Sequence, residues 1–237
     1  MKAFLLIFLP IIGFIIWIYK KDKYDKENIC VLLKYFILGI LISFLAIIIE
    51  KFLLKETIFR GDTKLIYTSF IVAGVTEEAL KCMILVLLAT KEKNYNEKLD
   101  GIIYSIFLSL GFATIENILY ISYEKVYSLY EIALTRAVIS IPAHIMFAIT
   151  MGYYISKYKF EKNEVKRRQN LILSFLIPIL IHGTFDFILM IEYRGIIIVF
   201  IIYLAVLAKV NLNKLNKYMI YSKKRFFDRL KNRKKHK

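Results

Sequence analysis

The 237-residue sequence reads as an all-α protein, a polytopic transmembrane helical bundle of about seven spans. Three features lead there. The chain is 58% hydrophobic, with a mean hydropathy of +0.55. Its apolar residues gather into runs long enough to cross a hydrocarbon core of about 30 Å, far longer than a soluble core helix needs. Its charges collect between those runs, and the high hydrophobicity excludes intrinsic disorder, whose condition is low hydrophobicity.

The spans follow in order at 3–19, 29–50, 65–90, 98–121, 130–156, 170–191 and 195–210. All are expected as helices, because an open strand in lipid leaves its backbone groups unpaired. The first has only Lys2 ahead of it and no small-residue cleavage site before Tyr19 and Lys20, so it reads as a retained span rather than a signal peptide. Pro142 and Pro178 lie inside the fifth and sixth, where the missing N–H is expected to kink the helix. Cys30 and Cys82 fall within apolar segments and imply no disulfide framework.

Charge placement sets the expected orientation. From Lys209 onward there are twelve lysines and arginines against the single acid Asp228, enough to explain most of the +16 net charge as attraction to anionic headgroups, with no nucleic-acid partner expected. With that end cytoplasmic, Lys20 to Lys26, Lys91 to Lys98 and Lys157 to Arg168 also fall inside. The outer side receives only Lys2, the four basic residues from Lys51 to Lys64, Lys125 and Arg194. The chain is therefore expected N-out and C-in. Lys34, near the inner end of its span, is expected to snorkel, and the 17 tyrosines and 18 phenylalanines to serve lipid-facing and interface packing.

The informative residues are the ionisable ones at membrane depth, each costing about 2.5–3.5 kcal/mol when charged at the bilayer centre. The third span carries Glu77, Glu78 and Lys81, the fourth Glu116 and Asn117, the fifth Arg136 and His144, the sixth His182 and Asp186. Glu77 and Lys81 are four apart on one helical face, as are His182 and Asp186, and Glu78 is three before Lys81. At about 1.5 Å per residue, Glu77 is about 18 Å from the outer start of its span, so one cavity opening outward reaches all of these groups. An ion pair fixing helix register would account for Lys81 with one glutamate and leave the other over. Arg136 is expected either to snorkel or to pair with Glu116 or Asp186.

Carboxylates and imidazoles in an apolar site suit two hydrolytic chemistries. In one, they hold zinc with an open position and a glutamate takes the proton. In the other, a glutamate activates water without metal and a histidine or aspartate steadies the oxyanion. The residue types serve both. A transporter using the same groups as a proton relay is the alternative, although two similar halves are not visible.

Glu77-Glu78-x-x-Lys81, Phe112-x-x-x-Glu116 and His182-x-x-x-Asp186, in that order on successive spans, resemble the PrsW intramembrane proteases. CAAX-processing endopeptidases and abortive-infection membrane proteins carry similar but distinct motifs. The resemblance implies site-1 cleavage of a single-pass anti-sigma factor on its extracytoplasmic side. The chain is expected to divide into a membrane-embedded protease domain over 1–210 and, by its charge, a basic cytoplasmic tail over 211–237. Catalytic roles then fall to Glu77, Glu78, Lys81, His182 and Asp186, and metal ligation to Glu116, His144 and His182.

Overall fold

The computed structural model describes residues 2–123, 128–191, 193 and 195–235. It contains seven helical rods and no strand among those residues. Lys125, Arg194 and His236 lie outside the described residues. The rods are α1 (Lys2–Lys21), α2 (Ile29–Lys55), the composite α3 (Gly61–Ile66), π1 (Tyr67–Val75) and α4 (Thr76–Leu87), α5 (Lys98–Tyr123), the composite α6 (Leu129–Thr135), π2 (Arg136–Ser140) and α7 (Ile141–Phe160), α8 (Glu164–Met190) and α9 (Ile196–Lys235). Five are long and apolar enough to cross a membrane by length and composition. The rod over 61–87 is not among these five; it carries three charged residues close together near its middle, Glu77, Glu78 and Lys81.

Local chemistry starts these rods. The Asn28 side chain accepts from Cys30 N at the head of α2, and Asn163 from Lys166 N at the head of α8. Ser128 and Glu131 form a reciprocal capping box at α6. Gly61, at φ +54°, turns the chain into α3. Pro142 is the second residue of α7, just past π2, so its missing N–H falls beside winding that is already irregular, and Pro178 is carried within α8.

Helix α5 is the axis of the bundle: 78% of its apolar stretch is buried, against 17% for α9. It packs between α2 and α7, and α8 closes against α7 and π1. The α2–α5 contact is a backbone contact. A Cβ on Gly39 would strike the Leu108 carbonyl, and one on Gly111 the Phe36 carbonyl, so only glycine lets these helices approach so closely. Large apolar side chains such as Leu9, Ile48, Leu180 and Ile198 face outward, as lipid contact requires. The aromatic residues divide otherwise than composition suggests: Tyr35, Tyr104, Phe107 and Phe147 are fully buried.

One end of the bundle gathers the connections 22–28, 88–97 and 161–163 together with the second half of α9. That helix is 40 residues, about 60 Å, so it outruns the hydrocarbon core. It stays packed beyond residue 210. Tyr218 stacks on Tyr153 and donates to its carbonyl, and Arg229 meets Asp25 at 2.8 Å. Lys34, expected to snorkel, pairs instead with Glu92.

Asp22 and Glu27 lie in the 22–28 connection, where Asp22 Oδ2 accepts from Glu27 N at 2.7 Å and Glu27 accepts from the Tyr104 hydroxyl at 2.6 Å. Burial first, then neighbouring carboxylates, pushes Asp22 up to about 6 and Glu27 up to about 7. Both acids hold their protons more tightly folded than unfolded. Their contribution to stability is therefore complete below their ordinary values of 3.8 and 4.5 and is lost as pH rises through about 6 and 7. Thermal unfolding in detergent micelles is expected to show a falling midpoint across that window, flattened by Asp22→Asn with Glu27→Gln.

Candidate active site

A cavity of about 360 Å³ opens at the other end of the bundle, where α2 and α8 finish and α3 and α6 begin. Glu77, Glu116, Arg136, His144, His182 and Asp186 all line it. Four rods contribute them, and the winding changes just before two of the contributions. The π1 segment ends at Val75, directly ahead of Thr76-Glu77-Glu78, and π2 runs from Arg136 to Ser140, one turn before His144. Such widened turns shift the face that the following residues present and recur at functional sites.

The polar side chains form two chains of contact. Lys81 Nζ donates to Glu78 Oε1 at 2.8 Å, and His182 Nδ1 lies 2.9 Å from the same oxygen. Opposite it, Arg136 Nη2 donates to Glu116 Oε1 at 2.5 Å, and His144 Nε2 lies 2.6 Å from Glu116 Oε2. Each is a cation, a carboxylate and an imidazole in sequence. The two imidazoles stand edge to face with centroids 5.6 Å apart.

Glu77 joins the halves. Its Oε2 accepts from Lys81 at 3.0 Å, and it belongs to both sets of three donors whose ligand atoms lie within 4.8 Å of one another among the described residues: Glu77, Glu78 and His182, and Glu77, Glu116 and His144. Asp186 Oδ2 approaches His182 Nε2 at 3.4 Å.

Aromatic rings fix these groups in place. Phe147 stacks on His182 at 4.8 Å, the Lys81 ammonium sits 4.1 Å above Phe112, and the Arg136 guanidinium lies 3.7 Å over Tyr120. Ser109 donates to the His144 carbonyl at 3.1 Å and ties α5 to α7 at the site.

All the residues singled out by sequence meet here, and Arg136 takes the paired rather than the snorkelling role. Sequence reasoning missed Glu50, which lines the cavity with one buried carboxylate oxygen unpartnered. The apolar run places Glu50 at the outer limit of its span, but α2 continues to Lys55 and carries Glu50 to the cavity. Asn117, which accepts from Arg136 Nε, was visible beside Glu116 without an assigned role.

The donor set suits a divalent cation of the zinc type, with imidazole nitrogens and carboxylate oxygens and no thiolate. Among the described residues of the site, Glu50 Oε1, Glu78 Oε2 and His144 Nδ1 are buried without a hydrogen-bond partner, and Glu116 Oε2 has only its ion-pair contact with His144. His144 has a carboxylate on Nε2, and His182 has one close on Nδ1 and Asp186 at 3.4 Å from Nε2; carboxylate contacts of this kind orient histidine ligands in metal sites. The residues therefore fit a metal.

Fold and site together define a membrane-embedded hydrolase. Residues 27–210 match the family described as PrsW family intramembrane metalloprotease. The chain is 55% identical over 235 residues to Protease PrsW of Clostridioides difficile strain 630, covering 99% of each. It is 36% identical over 180 residues to Protease PrsW of Bacillus subtilis strain 168, covering 76% of this chain and 79% of the relative, and 34% identical to that of Geobacillus kaustophilus over 78% of each. No solved structure matches it. The chain belongs to the PrsW family of intramembrane metalloproteases and is an integral membrane peptidase whose substrates are membrane proteins. Nothing favours the transporter alternative.

Lys81 is 2% exposed at its side chain and is the ammonium that both Glu77 and Glu78 contact. Removing one partner of a buried ion pair costs about 3–5 kcal/mol, because the other charge is left uncompensated. Lys81→Met is expected to lose stability of that order in denaturation measured in micelles. Adding Glu78→Gln to it should restore part of the loss.

Proposed function

We propose that this protein cleaves a single-pass anti-sigma factor at site 1, on the extracytoplasmic side of the bacterial cell membrane. The observation carrying the peptidase chemistry is the convergence of both cation–carboxylate–imidazole chains on Glu77 at the cavity wall. The cavity lies at the end of the bundle away from the basic end of α9. With N-out, C-in orientation, read from Lys and Arg placement, that end is extracytoplasmic. In this reading residues 1–210 are the protease unit and 211–237 a basic cytoplasmic extension near anionic headgroups.

Glu77 serves as general base. It takes a proton from a water in the cavity as the water oxygen attacks the scissile carbonyl, and the proton passes to the leaving amine as the C–N bond breaks. Glu78, neutralised by Lys81, holds the His182 ring through Nδ1 and leaves Nε2 toward the cavity and Asp186. Glu116, His144 and His182 are the residues that would hold the metal, zinc by the chemistry of the donors; Glu77 has a carboxylate oxygen within 4.8 Å of donors from Glu116 and His144, and likewise of donors from Glu78 and His182. When bound, the cation supplies Lewis acidity for the attacking water and the scissile carbonyl. Arg136 keeps the Glu116 carboxylate turned toward His144.

The test is reconstitution of the full chain with a single-pass anti-sigma factor. Glu77→Gln is expected to reduce cleavage by at least about a hundredfold, the lower range for a general base, while leaving the helical signal and expression intact. Full activity in that variant would rule out the assigned base.

Metal dependence is measured separately. A chelator should abolish cleavage and added zinc restore it; undiminished cleavage after chelation, with no metal in the protein by elemental analysis, would leave the glutamate mechanism without a cation.

A further inference from the structure

A second, smaller chamber of about 130 Å³ adjoins the main cavity between α2 and α5. Ser43, Ala46 and Ile47 from α2 and Phe112 and Leu119 from α5 form its walls. The two spaces share Glu50, Glu77, Glu116 and Tyr120, so the chamber's mouth is the carboxylate edge of the site itself. Its interior offers little to a polar group. Ser43 spends its hydroxyl on the Ile40 carbonyl of its own helix at 2.7 Å, and the other wall side chains are apolar.

We propose that this chamber is a specificity subsite that takes one aliphatic side chain of the substrate from a residue flanking the scissile bond. The inference rests on the peptidase reading of the main cavity. A strand whose carbonyl lies against Glu77 has its neighbouring side chains within a few ångströms of that point, and the chamber opens there. Size then selects. A cavity of about 150 Å³ lined by Leu, Ile and Phe holds a benzene ring; at about 130 Å³ this one matches side chains from alanine to leucine better than the larger ones of phenylalanine or tryptophan. At the mouth, Glu50 Oε1 is buried without a hydrogen-bond partner, an acceptor that a backbone N–H of the bound strand satisfies. Burying apolar surface in the chamber favours binding, and only a substrate side chain of the right size gains it.

The experiment varies each residue flanking the cleaved bond of a single-pass substrate among Gly, Ala, Val, Leu and Phe, with products identified by mass spectrometry. The parent enzyme is expected to prefer Ala to Leu over Phe at one of these positions. Ile47→Ala enlarges the chamber and should raise kcat/KM for Phe relative to Ala there by about tenfold or more. Ala46→Val narrows it and should shift the preference toward Ala and Gly. Ala46 is packed in the core, whereas Ile47 is only part-buried, so the enlarging variant remains informative if the narrowing one does not fold. Cleavage by Ile47→Ala with an unchanged preference at every flanking position overturns the subsite and leaves the peptidase reading standing. No cleavage of any substrate by the parent overturns both.

Discussion

Charge neutralisation in a medium that cannot solvate charge is the constraint on which this structure depends. Five ionisable side chains, Glu77, Glu78, Lys81, Glu116 and Arg136, sit with two imidazoles in the interior of an apolar bundle. Each would be costly alone. They are tolerable because every carboxylate of the inner group touches a cation and each imidazole touches a carboxylate. The same contacts that neutralise these groups also orient the carboxylates and imidazoles at the cavity. Lys81 holds Glu78, Glu78 holds His182, and Glu77, sharing the ammonium, is left on the cavity wall.

The scaffold supports that precision by close packing rather than by long-range charge. Gly39 and Gly111 bring the backbones of α2 and α5 into contact, and α5 in turn packs along α7. The result is a rigid axis from which Glu116 and Asn117 project toward Arg136. The widened turns π1 and π2 then set the angular position of Glu77 and His144. Aromatic stacking on His182 and cation contacts over Phe112 and Tyr120 reduce the freedom of the side chains themselves. Preorganisation of this kind lets charge develop in a reaction without further rearrangement.

The far end of the molecule solves a different problem. There the acids Asp22, Glu27 and Glu97 are buried in connections rather than in spans, and their neighbours are tyrosines, backbone amides and the arginines of α9. The basic second half of α9 is thus a structural part of the bundle, packed on α7 through Tyr218 and on the 22–28 connection through Arg229. Catalytic and bracing functions are separated by the length of the helices.

Much of this was legible in order along the chain. Long apolar runs can only be helices in lipid, so composition and run length alone gave the all-α bundle, and four-residue spacing placed Glu77 with Lys81 and His182 with Asp186. Glu50 was hidden because a span's limit cannot be located to within a turn by hydropathy. The buried roles of Tyr35 and Tyr104 were hidden because an aromatic ring suits a lipid interface and a core equally well. The sequence by itself determined which residues had to be shielded from lipid, since a charge in a hydrocarbon core must find a partner. Only the tertiary structure decided which partner: the pairing of Glu78 with His182 and of Glu116 with both Arg136 and His144 joins residues 20 to 104 apart in sequence, and such contacts depend on helix rotation and packing that no local spacing encodes.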